Sequence, residues 1–142
     1  MSWTVLRAVL VCLGCLVLPA VPAAAQAVNL KAELKGGNEV PPLSVSGTGQ
    51  LTATFEPATR KLSWKGTLAN LTAAPTMAHF HGPAEASKNA GLQVTIPNPG
   101  ASFSGEATLT DQQARDMLAG MWYVNIHTAA HPAGEVRGQL LK

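Results

Sequence analysis

Between Gly47 and Leu68 the chain alternates apolar and polar residues on both sides of a single turn, a pattern that fits a β-hairpin. Leu51, Ala53 and Phe55 fall on one side of the first arm, and Thr52 and Thr54 on the other. After Glu56-Pro57-Ala58-Thr59, the residues Leu62, Trp64, Gly66 and Leu68 alternate with Lys61, Ser63, Lys65 and Thr67. Successive side chains of a strand point to opposite faces, so each arm offers one face to a core and one to solvent.

The same period recurs along the chain. Val28 to Leu34 alternates and then breaks at Lys35-Gly36-Gly37-Asn38-Glu39, before the extended Val40-Pro41-Pro42. Ala73 to His81 ends on Gly82-Pro83, and residues 82–90 are small and polar, a surface loop. Gly91 to Ile96 is a strand stopped by Pro97-Asn98-Pro99-Gly100, and Ser102 to Leu109 alternates again. Met121 to His127 and Glu135 to Leu141 complete the strands. Only Thr110 to Ala119 changes period. Thr110 and Gln113 match a capping box, Ala114, Met117 and Leu118 fall at helical spacing, and Gly120 supplies the stop. About 7–8 short strands with one short helix near residues 110–119 predict an all-β fold, an antiparallel Greek-key-like β-sandwich or small barrel. Phe55, Trp64, Leu109, Trp122, Val124 and Ile126 are its core candidates.

The start of the chain reads differently. Arg7, the apolar run Ala8 to Leu18 and the small-residue stretch Ala23-Ala24-Ala25-Gln26-Ala27 make residues 1–27 a secretory signal peptide. The run is shorter than the roughly 20 apolar residues that span a bilayer, so no membrane span is expected after cleavage. Cys12 and Cys15 both fall in this leader. Lipid attachment at Cys15 is the lesser alternative, and otherwise the mature chain has no thiol. Residues 28–142 then form one domain, large enough for a single core without disulfides. The whole chain carries ten Lys+Arg against eight Asp+Glu, and one of the ten is Arg7. That balance, without a basic cluster, excludes nucleic acid and anionic lipid as expected partners. The carboxylates are scattered, and no Gly-rich phosphate loop or nucleophile elbow is present.

All four histidines lie in or beside two segments, Ala78-His79-Phe80-His81-Gly82-Pro83 and Tyr123-Val124-Asn125-Ile126-His127-Thr128. His79 and His81 share a strand face, as do Tyr123, Asn125 and His127. If the two strands are neighbours, three imidazoles converge, a donor set that suits copper or zinc. The expected metal ligands are His79, His81, His127 and His131, the last either a fourth ligand or a loop residue beside Pro132. Copper is the expected ion and zinc the alternative. Met77 shares the face of His79 and could assist copper(I), although a core or loop methionine is the plainer reading. Asn125 could orient an imidazole or simply bond loop backbone. Glu39, Glu135 and Arg137 are expected to pair, tying the Val40-Pro41-Pro42 segment to the last strand.

Four stretches carry a resemblance to a known family: Asn38-Glu39-Val40-Pro41-Pro42, Ala78 to Pro83, Gly120 with Trp122 to Thr128, and Pro132 to Gln139. In this order, over about residues 30–140, the chain resembles the chordin-type CHRD domain. That resemblance implies an all-β, secreted or extracytoplasmic domain and implies no established catalytic activity. The H-x-H strand with a later strand histidine also looks like the copper half of copper/zinc superoxide dismutases, which implies His79, His81 and His127 as copper ligands. The dismutase zinc cluster, bridging histidine, disulfide and guarding arginine have no counterparts here. The expectation is a secreted or periplasmic metal-binding protein without catalysis. The alternatives are a non-catalytic interaction module for an extracytoplasmic protein partner, and a copper-dependent dismutase-like enzyme. Metal affinity should fall as pH drops through roughly 6.5 and the imidazoles protonate.

Overall fold

The alternating segments pair into one antiparallel sheet. The structure, a computed structural model, describes residues 25–142. The leader expected over residues 1–27, with Cys12 and Cys15, lies outside them but for its last three positions. The strands are β1 (Val28–Lys35), β2 (Thr48–Glu56), β3 (Lys61–Ala69), β4 (Pro75–His81), β5 (Leu92–Thr95), β6 (Ser102–Thr108), β7 (Tyr123–Thr128) and β8 (Val136–Gln139). A short 3-10 turn, Gly36–Asn38, follows β1, and the helix α1 spans Asp111–Leu118. Among the described residues, no helix is long and apolar enough to cross a membrane.

The order across the sheet is β5-β4-β7-β8-β1-β2-β3-β6, and the sheet curls into a nearly closed barrel. β1, β2 and β3 form a meander; the chain then crosses to β4, returns to the far edge as β6, and comes back through α1 to place β7 beside β4. These crossings are the Greek-key-like topology expected from the strand pattern. The hairpin β2–β3 holds one unbroken register from Thr48 opposite Ala69 to Glu56 opposite Lys61. Its inward faces supply Leu51, Ala53, Phe55, Leu62, Trp64 and Leu68 to the core.

Along β4, Ala78 and Phe80 are fully buried. Phe80 sits between two tryptophans, edge-on to Trp64 with ring centroids 5.0 Å apart and 6.0 Å from Trp122. Turning this strand over would expel Phe80 from an aromatic cluster and drive two imidazoles into it, so the apolar residues fix where His79 and His81 point. Val124 and Ile126 do the same on β7.

The helix is set by its cap. Gln113 N–H donates to the Thr110 hydroxyl at 3.2 Å, and Thr110 N–H donates to the Gln113 side-chain oxygen at 2.9 Å. Met117 is buried beneath it, and Gly120, with φ +76°, takes the left-handed conformation that ends the helix. The Gln113 side chain also donates to that of Gln93 at 3.2 Å, which ties α1 to β5 at the open edge of the barrel.

The polar face of β7 is closed, since every residue from Tyr123 to Thr128 is buried. Loop segments close over it. Asn89 donates to the Val40 carbonyl at 3.0 Å, joining the loop after β4 to the loop after β1. Asn38 donates to the Arg137 carbonyl at 3.0 Å.

Candidate metal centre

Strands β4 and β7 are hydrogen-bonded neighbours, the arrangement on which a three-histidine site depends. Their register sets His79 opposite Asn125, His81 opposite Tyr123 and Met77 opposite His127. All six side chains therefore belong to the same outer face. One nitrogen from each of His79, His81 and His127 lies within 4.8 Å of the other two. The closest pair is His79 Nδ1 and His127 Nε2, at 3.2 Å.

Two backbone carbonyls decide which nitrogens are available. His81 Nδ1 stands 3.1 Å from the Ala90 carbonyl, and His127 Nδ1 stands 2.8 Å from the Pro132 carbonyl. A carbonyl oxygen only accepts, so each Nδ1 carries the proton and each Nε2 keeps its lone pair. Nε2 of His81 is buried and has no hydrogen-bond partner. A buried imidazole nitrogen left without a partner is costly in a finished core and suits a ligand awaiting an ion. The donor set is then Nδ1 of His79 with Nε2 of His81 and His127. A zinc or copper ion about 2.0–2.1 Å from each nitrogen in a tetrahedron needs N···N separations of roughly 3.3–3.4 Å, so a pair at the 4.8 Å limit closes by about 1.5 Å.

The electrostatics disfavour protonation of His79 and His81. Burial lowers the pKa of His79 below its usual 6.5, and the neighbouring charges of His127 and His81 lower it further. Burial is also the largest cause lowering that of His81. Neutral imidazole is the form that binds a metal.

His131 is not in the group. It lies in the turn after β7, where its N–H donates to the Thr128 carbonyl at 3.2 Å and its own carbonyl accepts from Gly134 N–H at 3.0 Å. The turn contributes to the site through the Pro132 carbonyl rather than through a histidine ring.

The expected ion pairing of Glu39, Glu135 and Arg137 does not form. The ion pairs among the described residues are Lys35–Glu33, Arg60–Asp111 and Lys61–Glu106, all exposed. Glu135 is buried and accepts from Thr72 N–H, the Thr72 hydroxyl and the Thr128 hydroxyl, each at 2.7 Å. Burial raises its pKa, but these hydrogen bonds outweigh burial and the net shift is downward. Glu39, 7% exposed, accepts from the Asn125 amide at 2.7 Å. Burial pushes its carboxyl up to about 7 against the pull of Arg137. Asn125 thus bonds a loop side chain and not an imidazole.

Sequence reasoning missed Tyr123 and Arg137 as parts of the site's support. Tyr123 stacks on His81, with centroids 5.0 Å apart and planes 9° from parallel. Arg137, 1% exposed, donates to Asn89 Oδ1 at 2.9 Å and to the Lys88 carbonyl at 2.6 Å. It so anchors the loop that ends on Ala90, whose carbonyl bonds His81. The one signal in the sequence was that Tyr123 shares a strand face with Asn125 and His127.

No curated protein and no solved structure matches the chain. A family model for the CHRD domain matches it over residues 30–140, which takes in every strand and both histidine segments. This chain belongs to the CHRD domain family.

Proposed function

We propose that this protein is a secreted or periplasmic CHRD-domain protein that binds copper, with zinc second, through His79, His81 and His127. The observation that carries the reading is the convergence of three imidazole nitrogens within 4.8 Å. Two of those rings are fixed by carbonyls at 3.1 and 2.8 Å in the tautomer that leaves Nε2 free. Metal-bound histidines ordinarily donate their other ring nitrogen in this way, which orients the ring and raises its basicity. A site of nitrogen donors alone favours copper over zinc by the general affinity order of divalent ions. The location rests on the charged start, apolar run and small-residue end of the first 27 residues.

Titration calorimetry with copper(II) and zinc(II) on the purified protein tests the reading, alongside a His79→Ala/His81→Ala/His127→Ala variant and a His131→Ala variant. One-to-one binding is expected in the wild type and in His131→Ala, and its loss in the triple variant. Equal weak binding by all three proteins overturns the metal reading and leaves the interaction module. If binding is found, a dismutase assay on the copper-loaded protein separates simple binding from redox turnover.

A further inference from the structure

We propose that Met77 is the fourth donor of the three-histidine site and that its thioether fits the site for copper(I). This inference rests on the metal-binding reading above and deepens it.

Three imidazoles leave one vertex of a tetrahedron open. The neighbouring side chains on this face are mostly committed elsewhere. Asn125 donates to Glu39 at 2.7 Å. The Tyr123 hydroxyl accepts from Ala90 N–H at 3.1 Å. Thr95, opposite His79 on β5, offers a hydroxyl, a hard donor poorly matched to copper. Among the described residues, no cysteine or carboxylate joins the three histidines.

Met77 is differently placed. It lies directly opposite His127 across the β4–β7 ladder and one pleat repeat from His79, on the same face. Facing residues in such a ladder have Cβ atoms roughly 4.5–5.5 Å apart. The unbranched methionine side chain, with three rotatable bonds, can swing from there over the cluster. Its side chain is not used for packing, since Met77 is 48% exposed whereas Met117 is fully buried in the core. The expectation of a core or loop methionine therefore fails for Met77.

Charge points to the same ion. No carboxylate joins the three histidines, and the buried Arg137 guanidinium lies on the far side of the Tyr123 ring from His81. A half-buried site with nothing anionic in it holds a monocation at less cost than a dication. A thioether carries no charge and takes no proton at neutral pH, and it is the softest donor this face can offer.

The test is Met77→Leu, a nearly volume-conserving change at an exposed position. Copper(I) affinity is measured without oxygen, in ascorbate, by competition with bicinchoninate; zinc(II) affinity serves as the control. Met77→Leu is expected to weaken copper(I) binding by roughly tenfold or more and to leave zinc(II) binding unchanged. X-ray absorption on the copper(I)-loaded wild type is expected to show a copper–sulfur path that is absent in Met77→Leu. Unchanged copper(I) affinity, or an equal loss for both ions, overturns the role of Met77 while the three-histidine site stands. A wild type that binds neither ion overturns both.

Discussion

Arg137 lays its guanidinium 3.4 Å from the centre of the Tyr123 ring. Tyr123 in turn stacks on His81 at 5.0 Å. Because β7 lies between β8 and β4, the arginine and the histidine approach the tyrosine from opposite sides. The stack runs across three strands and ends on a proposed metal ligand. The same guanidinium holds the Lys88 carbonyl and Asn89 at the start of the loop whose Ala90 carbonyl fixes the His81 tautomer. One buried cation thus supports His81 both through the ring and through the loop.

Arg137→Met should therefore cost about 2–3 kcal/mol of stability, through lost charge-assisted hydrogen bonds in a buried position. It should also weaken metal binding about tenfold by freeing the loop that orients His81. Arg137→Lys should rescue little, since a single ammonium cannot both lie flat on the tyrosine and reach two loop oxygens. Urea titrations and calorimetry check both effects, and faster amide exchange over residues 85–91 in either variant would mark the loosened loop.

His79 and His81 give the protein a pH-dependent stability of definite sign. Burial is the main cause that holds both pKa values below 6.5 in the folded state. The unfolded chain then binds protons more readily, so this contribution is complete above about pH 6.5 and is lost as pH falls from there through the folded values. Urea midpoints measured from pH 7.5 down to pH 5 should decline. A His79→Gln/His81→Gln variant should show a shallower decline over that range.

Glu39 acts in the opposite direction. Its folded pKa stands at about 7 against an ordinary 4.5, so the folded state holds the proton more tightly. Stability from this group is full below about pH 4.5 and declines as pH rises through 7. Glu39→Gln keeps an acceptor for the Asn125 amide and removes the buried charge. It should raise stability at pH 8 by about 1–3 kcal/mol and change it little at pH 5. Thermal melts at the two pH values decide this, and equal shifts at both would show that Glu39 does not titrate in this range.

Gly134→Ala should destabilise the protein by more than about 2 kcal/mol. Gly134 has φ +132°, a conformation that side chains disfavour. A methyl group there would meet Glu39 Oε1 at 2.8 Å and Asn125 Oδ1 at 2.9 Å, and would also collide with the Asn125 amide nitrogen. The change should release the Asn125–Glu39 contact and loosen the turn that presents the Pro132 carbonyl to His127. A fall in both melting temperature and metal affinity is expected, and chemical denaturation with calorimetry reads the two separately.

The strands and the helix were legible in the chain because their causes are local. Period-two alternation around Leu51, Phe55, Leu62 and Trp64 gave the hairpin and its inner face, and Thr110 with Gln113 gave the start of the helix. The common face of His79 and His81 followed from the same alternation. The ion pair expected of Glu39, Glu135 and Arg137 was misread because charge alone does not say which oxygens will be buried beside a guanidinium. Arg137 is satisfied by loop oxygens and an aromatic face, and Glu135 by three threonine donors.

By itself the sequence determined an all-β chain with one helix and a pair of imidazoles on one strand face, since those depend on residues a few positions apart. Tertiary structure alone decided that β7 would lie beside β4 and bring His127 within 3.2 Å of His79, across 48 residues of chain. It also left His131 in a turn and buried the outer face of β7 under two loops. Strand order and loop closure arise from packing the whole barrel around Phe80, Trp64 and Trp122, and no local pattern encodes which strands that packing makes neighbours.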